Sequence, residues 1–274
     1  MSYFQAMLTS LLLGIPAVLL FSYWGYNLTD FAYTKIYGRP LVVYNHFHLR
    51  NLYTDDIIVL YHHSPFYNRL DAYKKQIFKH RLSVFMESKE FIGLDGFEVS
   101  RDVKVTVSSI AVMLSFGMRN YLIESVKKII IYPGPYYSSV NQDYHLGEYN
   151  PALKTIVLSW PDFVAGIGNE NDNINLGVHE FAHALYFGSM QSDDNSSLVF
   201  CQGIKKIDQL LNQDDFRKQL KRSKYLRAYA LTNKFEFFAV CLEHFIESPK
   251  AFKEEFSELF IIIKEMMNFE LHFN

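Results

Sequence analysis

Two histidines and a glutamate stand close together in the segment His179-Glu180-Phe181-Ala182-His183. On a helix, residues four positions apart lie one above the other on the same face. Two imidazoles at that spacing can bind one zinc ion, and the glutamate beside the first can reach a water molecule held there. The spacing indicates a catalytic zinc site, although an amphipathic helix with two surface histidines would show the same five residues.

The residues around this segment predict that it is helical. Asn173 or Asn175 can cap the amino-terminal end of the helix, and Gly188 can end it. Its apolar side consists of Val178, Phe181, Ala182 and Leu185. We therefore expect both imidazoles to project from one regular helix.

A catalytic zinc ion needs a third protein ligand and one open position for water. The best downstream candidate is Glu236, which stands in a strongly apolar stretch that extends to Phe245. A carboxylate in such a stretch is costly to bury unless it is paired or bound to a metal. Glu243 falls on the same helical side seven residues later, so periodicity alone does not choose between the two glutamates. Either glutamate would also fit an exposed stripe on a half-buried helix.

Three further segments accompany the histidine motif in a characteristic order. The four anchors are Lys127-Lys128-Ile129-Ile130-Ile131-Tyr132-Pro133, Val157-Leu158-Ser159-Trp160, the His179 motif, and Glu236-Phe237-Phe238-Ala239-Val240 followed by Glu243. In this order and at these spacings the chain, from about residue 65 to residue 268, resembles the Mlc titration factor A family of zinc-dependent peptidases. The set of anchors is far more specific than the histidine motif alone.

The resemblance implies a zinc peptidase whose fold is similar to the catalytic domain of anthrax lethal factor, a gluzincin. It implies that Glu236 is the third zinc ligand and that Tyr229, seven residues earlier, belongs to the active site. The chain departs from the family pattern at one position, because the family usually reads H-E-F-A-H-x-L-D and Tyr186 stands here in place of the aspartate. Residues that contact metal ligands tune metal affinity and catalytic rate. We expect the tyrosine at position 186 to affect catalysis more than zinc binding.

These residues predict a specific chemistry. His179, His183 and Glu236 would hold one zinc ion per chain, and water bound to such a zinc has a pKa of about 7. Glu180 would take a proton from that water and pass it to the leaving amine of a peptide or protein substrate. Tyr229 would donate to the developing oxyanion. In a chain with 19 tyrosines, an ordinary packing role for Tyr229 is the alternative.

A predicted strand precedes the metal helix, at Leu153 to Trp160. Many proteases hold their substrate as an added strand along a sheet edge near the metal. We assign that role to Ile156–Trp160, although a central strand of the core would show the same apolar run.

The amino-terminal region predicts a transmembrane anchor. No charged side chain occurs from Met1 to Thr29, and the run from Met7 to Trp24 is almost wholly apolar. Its length is near the lower limit for a membrane-spanning helix. A cleaved signal peptide and a buried helix are the alternatives. Lys35 and Arg39 follow the run, and this bias favours a single-pass protein of the inner or plasma membrane with its catalytic domain in the cytoplasm.

The predicted organisation has three parts: a transmembrane anchor at 1–29, a juxtamembrane segment at 30–65 with one strand near 41–44, and an α+β zincin-like metallopeptidase domain at 66–274. The net charge of −2 gives no general attraction to nucleic acid. Two cysteines, Cys201 and Cys241, are too few for a disulfide framework and favour a reducing compartment. We also expect helices at 70–86, 107–118 and 251–269 and a buried strand at 129–132.

Three functions compete. A membrane-anchored zinc peptidase leads, because a protein that only binds a partner does not need Glu180 beside the metal. The first alternative is a non-catalytic regulator that uses the fold to sequester a protein partner such as a transcription repressor. The second is a structural zinc site closed by Glu243 or His244 as a fourth ligand, although structural sites are usually rich in cysteine.

Overall fold

The computed structural model describes residues 3–46, 48–138, 142–169 and 172–269, without the side chains of residues 4–6 and 8–11. Helices dominate and surround a small sheet, so the predicted α+β class is confirmed. The helices are α1 (Tyr3–Tyr37), α2 (Thr54–His63), α3 (Pro65–Arg69), α4 (Ala72–Ser88), α5 (Arg101–Leu114), α6 (Trp160–Gly168), α7 (Leu176–Met190), α8 (Asn195–Leu211), α9 (Asp214–Ser223), a 3₁₀ helix (Ala228–Leu231), α10 (Lys234–Glu247), α11 (Pro249–Glu255) and α12 (Ser257–Met266).

The main sheet has four strands in the order β1-β2-β6-β5. The strands of the molecule are β1 (Glu90–Gly93), β2 (Lys128–Tyr132), β3 (Tyr136–Ser138), β4 (Asp143–His145), β5 (Gly147–Asn150) and β6 (Thr155–Ser159). β1, β2 and β6 run parallel, and β5 pairs antiparallel with β6. β3 and β4 form a separate antiparallel hairpin. The predicted strand at 129–132 is therefore confirmed as the middle of β2.

β6 lies inside the sheet, with β2 on one side and β5 on the other. The prediction that Ile156–Trp160 forms an edge for substrate is wrong, because both sides of β6 are already paired and Trp160 begins α6. Ile156 and Leu158 are completely buried, as the central-strand alternative requires. Among the described strands, β5 is the neighbour of β6 that is paired on one side only.

The core lies between the sheet and α7. α7 contacts β5 and β6 on one side and α5, α8 and α10 on the others. Phe181 of α7 and Phe238 of α10 are essentially unexposed. Full burial of one such ring contributes roughly 1.5–3 kcal/mol, so the helix that carries the histidine motif is held by packing on nearly every side.

The first helix is longer than its apolar run. α1 continues to Tyr37, and Asp30 near its carboxyl end is 1% exposed. Both oxygens of the Asp30 carboxylate accept hydrogen bonds of 2.8 Å from the Arg119 guanidinium, and the backbone N–H of Leu41 donates a third at 2.8 Å. The carboxyl end of α1 is thereby fixed to the α+β domain.

Within the described residues, no helix combines the length and the apolar character that a membrane crossing requires. The predicted transmembrane anchor is therefore wrong for this part of the chain, and so is the single-pass localisation with a cytoplasmic catalytic domain. The predicted boundary at residue 29 falls inside α1. The next residue, Asp30, accepts the hydrogen bonds from Arg119. Residues 1 and 2 of the predicted anchor lie outside the described residues.

Other elements differ in detail from their predictions. The helix predicted at 70–86 is α4, and the helix predicted at 107–118 begins earlier, because the Ser100 hydroxyl caps α5. Residues 41–44 form no strand. The helix predicted at 251–269 is divided into α11 and α12 at Phe256, whose backbone leaves the helical region. The three-part division of the chain stays a prediction.

Candidate metal centre

The helix of the histidine motif begins at Asn175, one of its two predicted caps. The side-chain oxygen of Asn175 accepts a 3.0 Å hydrogen bond from the backbone N–H of Val178. Such a bond satisfies one of the amide groups that every helix leaves open at its start. α7 runs past the predicted end at Gly188 to Met190. Asn175 thus sets the position at which the His179 and Glu180 side chains leave the backbone.

Three predicted ligands converge. His179 Nε2 lies 3.2 Å from His183 Nε2 and 2.9 Å from Glu236 Oε2, and His183 Nε2 lies 3.5 Å from Glu236 Oε1. These residues form a group whose ligand atoms all lie within 4.8 Å of one another. α7 supplies the two imidazoles one turn apart, and the first turn of α10 supplies the carboxylate.

The donor set fits zinc. Two ligand atoms at 2.0–2.1 Å from a tetrahedral zinc ion are about 3.3 Å apart, which is close to the 3.2 Å between the two imidazole nitrogens and to the 2.9 Å from His179 Nε2 to Glu236 Oε2. Two imidazoles with one carboxylate is also the ligand set of catalytic zinc sites that keep one position open. His179, His183 and Glu236 are therefore a group that could hold a metal ion.

Glu243 lies behind His179 and does not join the ligand group. One of its oxygens is 2.5 Å from His179 Nδ1, on the far side of the ring from Glu236. The Arg227 guanidinium donates to both Glu243 oxygens, at 2.7 and 2.6 Å. A carboxylate in this position fixes which imidazole nitrogen carries the proton and leaves the other free for a metal. The geometry thus separates two glutamates that periodicity leaves equivalent.

Sequence reasoning missed Arg227. This residue lies after α9 and pairs with the buried Glu243. The pairing joins residues 16 positions apart across a turn and a 3₁₀ helix. The available signal was Glu243 itself, since a carboxylate in an apolar helix requires a partner.

Carboxylates and imidazoles in the ligand group shift one another's pKa values. Burial disfavours the charged imidazolium, but the Glu236 and Glu243 carboxylates outweigh burial and raise the pKa of His179 to about 10. Burial alone would raise the pKa of Glu236, yet hydrogen bonds from His179 and His183 hold it well below its usual range. The carboxylates around His179 thus favour a positive charge at the ligand group.

Glu180 is buried beside the ligand group and is only 5% exposed. Burial is the main reason that its pKa is raised to about 7. Its Oε2 has no hydrogen-bond partner among the described residues. A Cβ at Gly147 of β5 would lie 3.0 Å from Glu180 Oε1 and 2.6 Å from a Leu176 methyl carbon, so glycine allows β5 to approach this carboxyl group closely.

Tyr229 lies at the rim of the ligand group. Its ring centroid is 6.0 Å from that of His179, and the residue is 52% exposed, which is not the environment of a packing aromatic in the core. Partial burial and then the nearby Glu236 charge raise the pKa of its hydroxyl to about 12. The 3₁₀ helix thus brings the predicted tyrosine beside the ligands with its hydroxyl in the neutral, donating form.

Tyr186 takes up the space of the family's aspartate. It is 3% exposed, and its ring contacts the Phe235 ring edge-on with 4.8 Å between centroids. It therefore packs directly behind the start of α10, where Glu236 stands. Neither alternative fourth ligand belongs to the described ligand group: Glu243 contacts His179 on the far side of its ring, and the His244 ring packs on Tyr225 at 4.7 Å.

Comparison with known proteins identifies a family and several relatives of this chain. The family described as glucose-regulated metallo-peptidase M90 matches residues 48–267. The uncharacterised protein slr2042 of Synechocystis sp. is 22% identical over 276 residues, with 95% of each chain covered. Mlc titration factor A of Cronobacter sakazakii is 24% identical over 196 residues, which cover 64% of this chain and 71% of that protein. Mlc titration factor A of Escherichia fergusonii is 22% identical over the same shares. The family match includes every residue of the candidate site.

Proposed function

The chain belongs to the glucose-regulated metallo-peptidase M90 family, and from that premise we propose that it is a zinc-dependent peptidase of the gluzincin type. His179, His183 and Glu236 are the zinc ligands, Glu180 is the general base and Tyr229 assists at the oxyanion. The observation that carries the proposal is the unpartnered, buried oxygen of Glu180 beside three converging ligand atoms.

A zinc ion in this group would act as a Lewis acid toward a water molecule and toward the peptide carbonyl. Glu180 accepts the proton of the attacking water at its free Oε2 and later donates it to the leaving amine. Its burial keeps bulk water from competing for that proton. The Tyr229 hydroxyl, half exposed at the rim, donates to the oxygen on which negative charge develops. Glu243 and Arg227 hold the His179 ring in place.

β5 provides the edge on which a peptide would lie. Among the described strands it pairs with β6 alone, so its second row of N–H and C=O groups is available for an added strand. Gly147 at its start lies against Glu180. A substrate strand on β5 would therefore pass next to the proposed base.

Zinc content tests the ligand assignment. We would express the full chain and the Glu236→Gln variant, dialyse both against limiting zinc and measure zinc per chain. The proposal requires one zinc per chain in the parent and clearly weaker retention in the variant, since an amide oxygen is a poorer ligand than a carboxylate. The matched control is Glu258→Gln on α12, which should retain zinc like the parent. A parent that binds no zinc would refute the proposal.

Sequestration of a repressor is the second candidate, and it is proposed from the similarity to relatives named Mlc titration factor A. A binding function needs no base beside the metal. Peptide cleavage that disappears in Glu180→Gln supports the peptidase, whereas a chain that binds zinc and a repressor but cleaves none of a broad peptide library supports the regulator.

A further inference from the structure

A second cavity of about 440 Å³ lies outside the candidate metal centre, where α2, α3, α5, α6, α10 and α11 meet. Its size falls within the range of small-molecule sites, roughly 300–1,000 Å³. The walls are largely apolar and are formed by Phe66, Ile110, Met113, Ile167 and Ile246. None of the proposed zinc ligands, nor Glu180 or Tyr229, lines it. The proposed peptidase activity therefore gives this cavity no role.

One carboxyl group, that of Glu247, belongs to the lining of the apolar cavity. Oε1 of Glu247 accepts a 3.0 Å hydrogen bond from the Asn175 side-chain amide. Oε2 of Glu247 is buried and has no hydrogen-bond partner among the described residues. Burial also raises the pKa of Glu247 to about 7. A buried carboxyl group with an unpaired oxygen is unfavourable, and a ligand N–H group that pairs with Glu247 would offset this cost.

Charged side chains of both signs line the cavity, and they differ in their exposure to solvent. Arg69, Lys250 and His63 line it and are exposed to solvent, whereas the free Glu247 oxygen is buried. A fatty acid would match the exposed cations but leave the buried carboxyl oxygen against its chain. The ammonium group of a simple alkylamine would pair with Glu247, but Arg69 and Lys250 would have no negatively charged partner in that ligand. A molecule with both charges and an apolar body matches the whole cavity.

We propose that this cavity binds a small zwitterion with an apolar side chain, namely a free apolar amino acid or a dipeptide. Its ammonium group pairs with the Glu247 carboxyl group, its side chain contacts the wall formed by Ile110 and Met113, and its carboxylate lies toward Arg69 and Lys250. The ligand class follows from the charges and the apolar walls and does not depend on the proposed peptidase activity.

Asn175 connects the cavity to the metal helix. Its side-chain amide donates to Glu247 Oε1 and to the Gly166 carbonyl, both at 3.0 Å, while its side-chain oxygen caps α7 at Val178. His179 lies four residues after this cap. Asn175 thus links the wall of the cavity to the first turn of α7.

Calorimetric titration with leucyl-leucine tests the binding step. The full chain is first treated with chelator, so that neither cleavage nor binding at the metal centre contributes. We expect saturable binding that weakens at least tenfold when the probe is N-acetylated, because the ammonium is lost. Glu247→Gln should weaken binding at least tenfold as well, since an amide carries no charge for the ammonium. Glu258→Gln, on α12 and remote from the cavity, should bind like the parent.

A second variant guards against a change in folding. Met113→Trp fills the cavity without altering any charge, and it should abolish binding while the zinc content of the untreated protein stays unchanged. No saturable heat with the parent would overturn the proposal, as would equal affinity in Glu247→Gln. Binding that needs zinc would place the dipeptide at the metal centre instead. Zinc content is measured separately, so failure of dipeptide binding and failure of the peptidase proposal are distinguishable.

Discussion

Two buried clusters of this molecule combine histidines with charged side chains, and they shift histidine pKa values in opposite directions. At the metal centre, carboxylates surround His179 and raise its pKa to about 10 against the effect of burial. In the second cluster, burial and the positive charge of Arg81 lower the pKa of His46 to about 4. Burial is common to both sites. The sign of the neighbouring charge decides whether a buried histidine group can accept a cation.

The second cluster is built around a guanidinium. Arg81 is completely buried and donates to the backbone carbonyls of Phe116 and Met118 at 2.9 and 3.0 Å, and to that of Val43 at 3.1 Å. Its guanidinium also lies over the Tyr121 ring, 4.4 Å from the centroid. No carboxylate among the described residues pairs with it. This cluster joins the segment before α2 to α4 and to the end of α5, a structural role.

The largest effect is expected at the metal centre. Glu180→Gln should lower kcat by a factor of about 10²–10⁴, because the amide cannot accept the proton of the attacking water. Zinc per chain should stay at the parent value, since Glu180 is not a ligand. The measurement is turnover of a peptide that the parent cleaves, with zinc determined on the same samples. A variant as active as the parent would remove Glu180 from the mechanism.

At the second cluster the effect should be on stability. Arg81→Met leaves three carbonyls without their donor, and we expect a loss of about 3 kcal/mol in the free energy of unfolding. Zinc affinity of the folded fraction should not change. Denaturant unfolding followed by fluorescence measures the loss, and exposed Arg222→Met on α9 serves as the control. A loss of zinc affinity without a loss of stability would reverse the roles of the two clusters.

Glu243→Gln tests the group behind a proposed ligand. The amide oxygen can still accept from His179 Nδ1, but the negative charge that orients and strengthens the imidazole is lost. We expect zinc affinity to fall by about 10- to 100-fold, with the three ligands still present. Competition with a chromogenic chelator measures it. Arg227→Gln should shift affinity in the same direction, because Glu243 would lose its bidentate partner. Unchanged affinity in both variants would reduce Glu243 and Arg227 to packing.

Much of the metal centre could be predicted because its information is local. The spacing of His179 and His183 and the Asn175 cap all lie within one helix and its first turn. The choice of Glu236 over Glu243 needed the family resemblance, since both share a helical side. The Arg227 pairing depends on how a turn and a 3₁₀ helix fold back onto α10, and no spacing rule encodes that path.

The errors in the fold have a similar cause. The amino-terminal run was read as a membrane anchor from its own composition, whereas the position of α1 depends on Asp30 and Arg119, 89 residues apart. A strand with an apolar centre such as β6 shows the same pattern at an edge and in the centre of a sheet. Local pattern predicted α4, α5 and β2, whereas long-range pairing decided where the elements lie.

The smallest expected effect is a pH dependence at the second cluster. His46 Nε2 accepts a 3.4 Å bond from Arg81 Nε, and His80 Nδ1 accepts a 3.1 Å bond from the Arg50 backbone N–H, so both rings are used in the neutral form. The folded-state pKa of His46, about 4, lies below its ordinary 6.5. Its contribution to stability is thus present above pH 6.5 and is lost as the pH falls toward 4, because the unfolded chain binds the proton first.

Thermal unfolding from pH 7 to pH 4 tests this dependence. We expect Tm to fall less steeply in His46→Gln than in the parent, since glutamine keeps an acceptor but does not titrate. Chelator in every sample removes zinc from the comparison, and His62→Gln, exposed on α2, should follow the parent curve. Parallel curves for His46→Gln and the parent would mean that His46 is protonated in the fold as readily as outside it. The proposed difference between the metal centre, where carboxylates favour a positive charge, and the Arg81 cluster, where a further positive charge is unfavourable, would then be wrong.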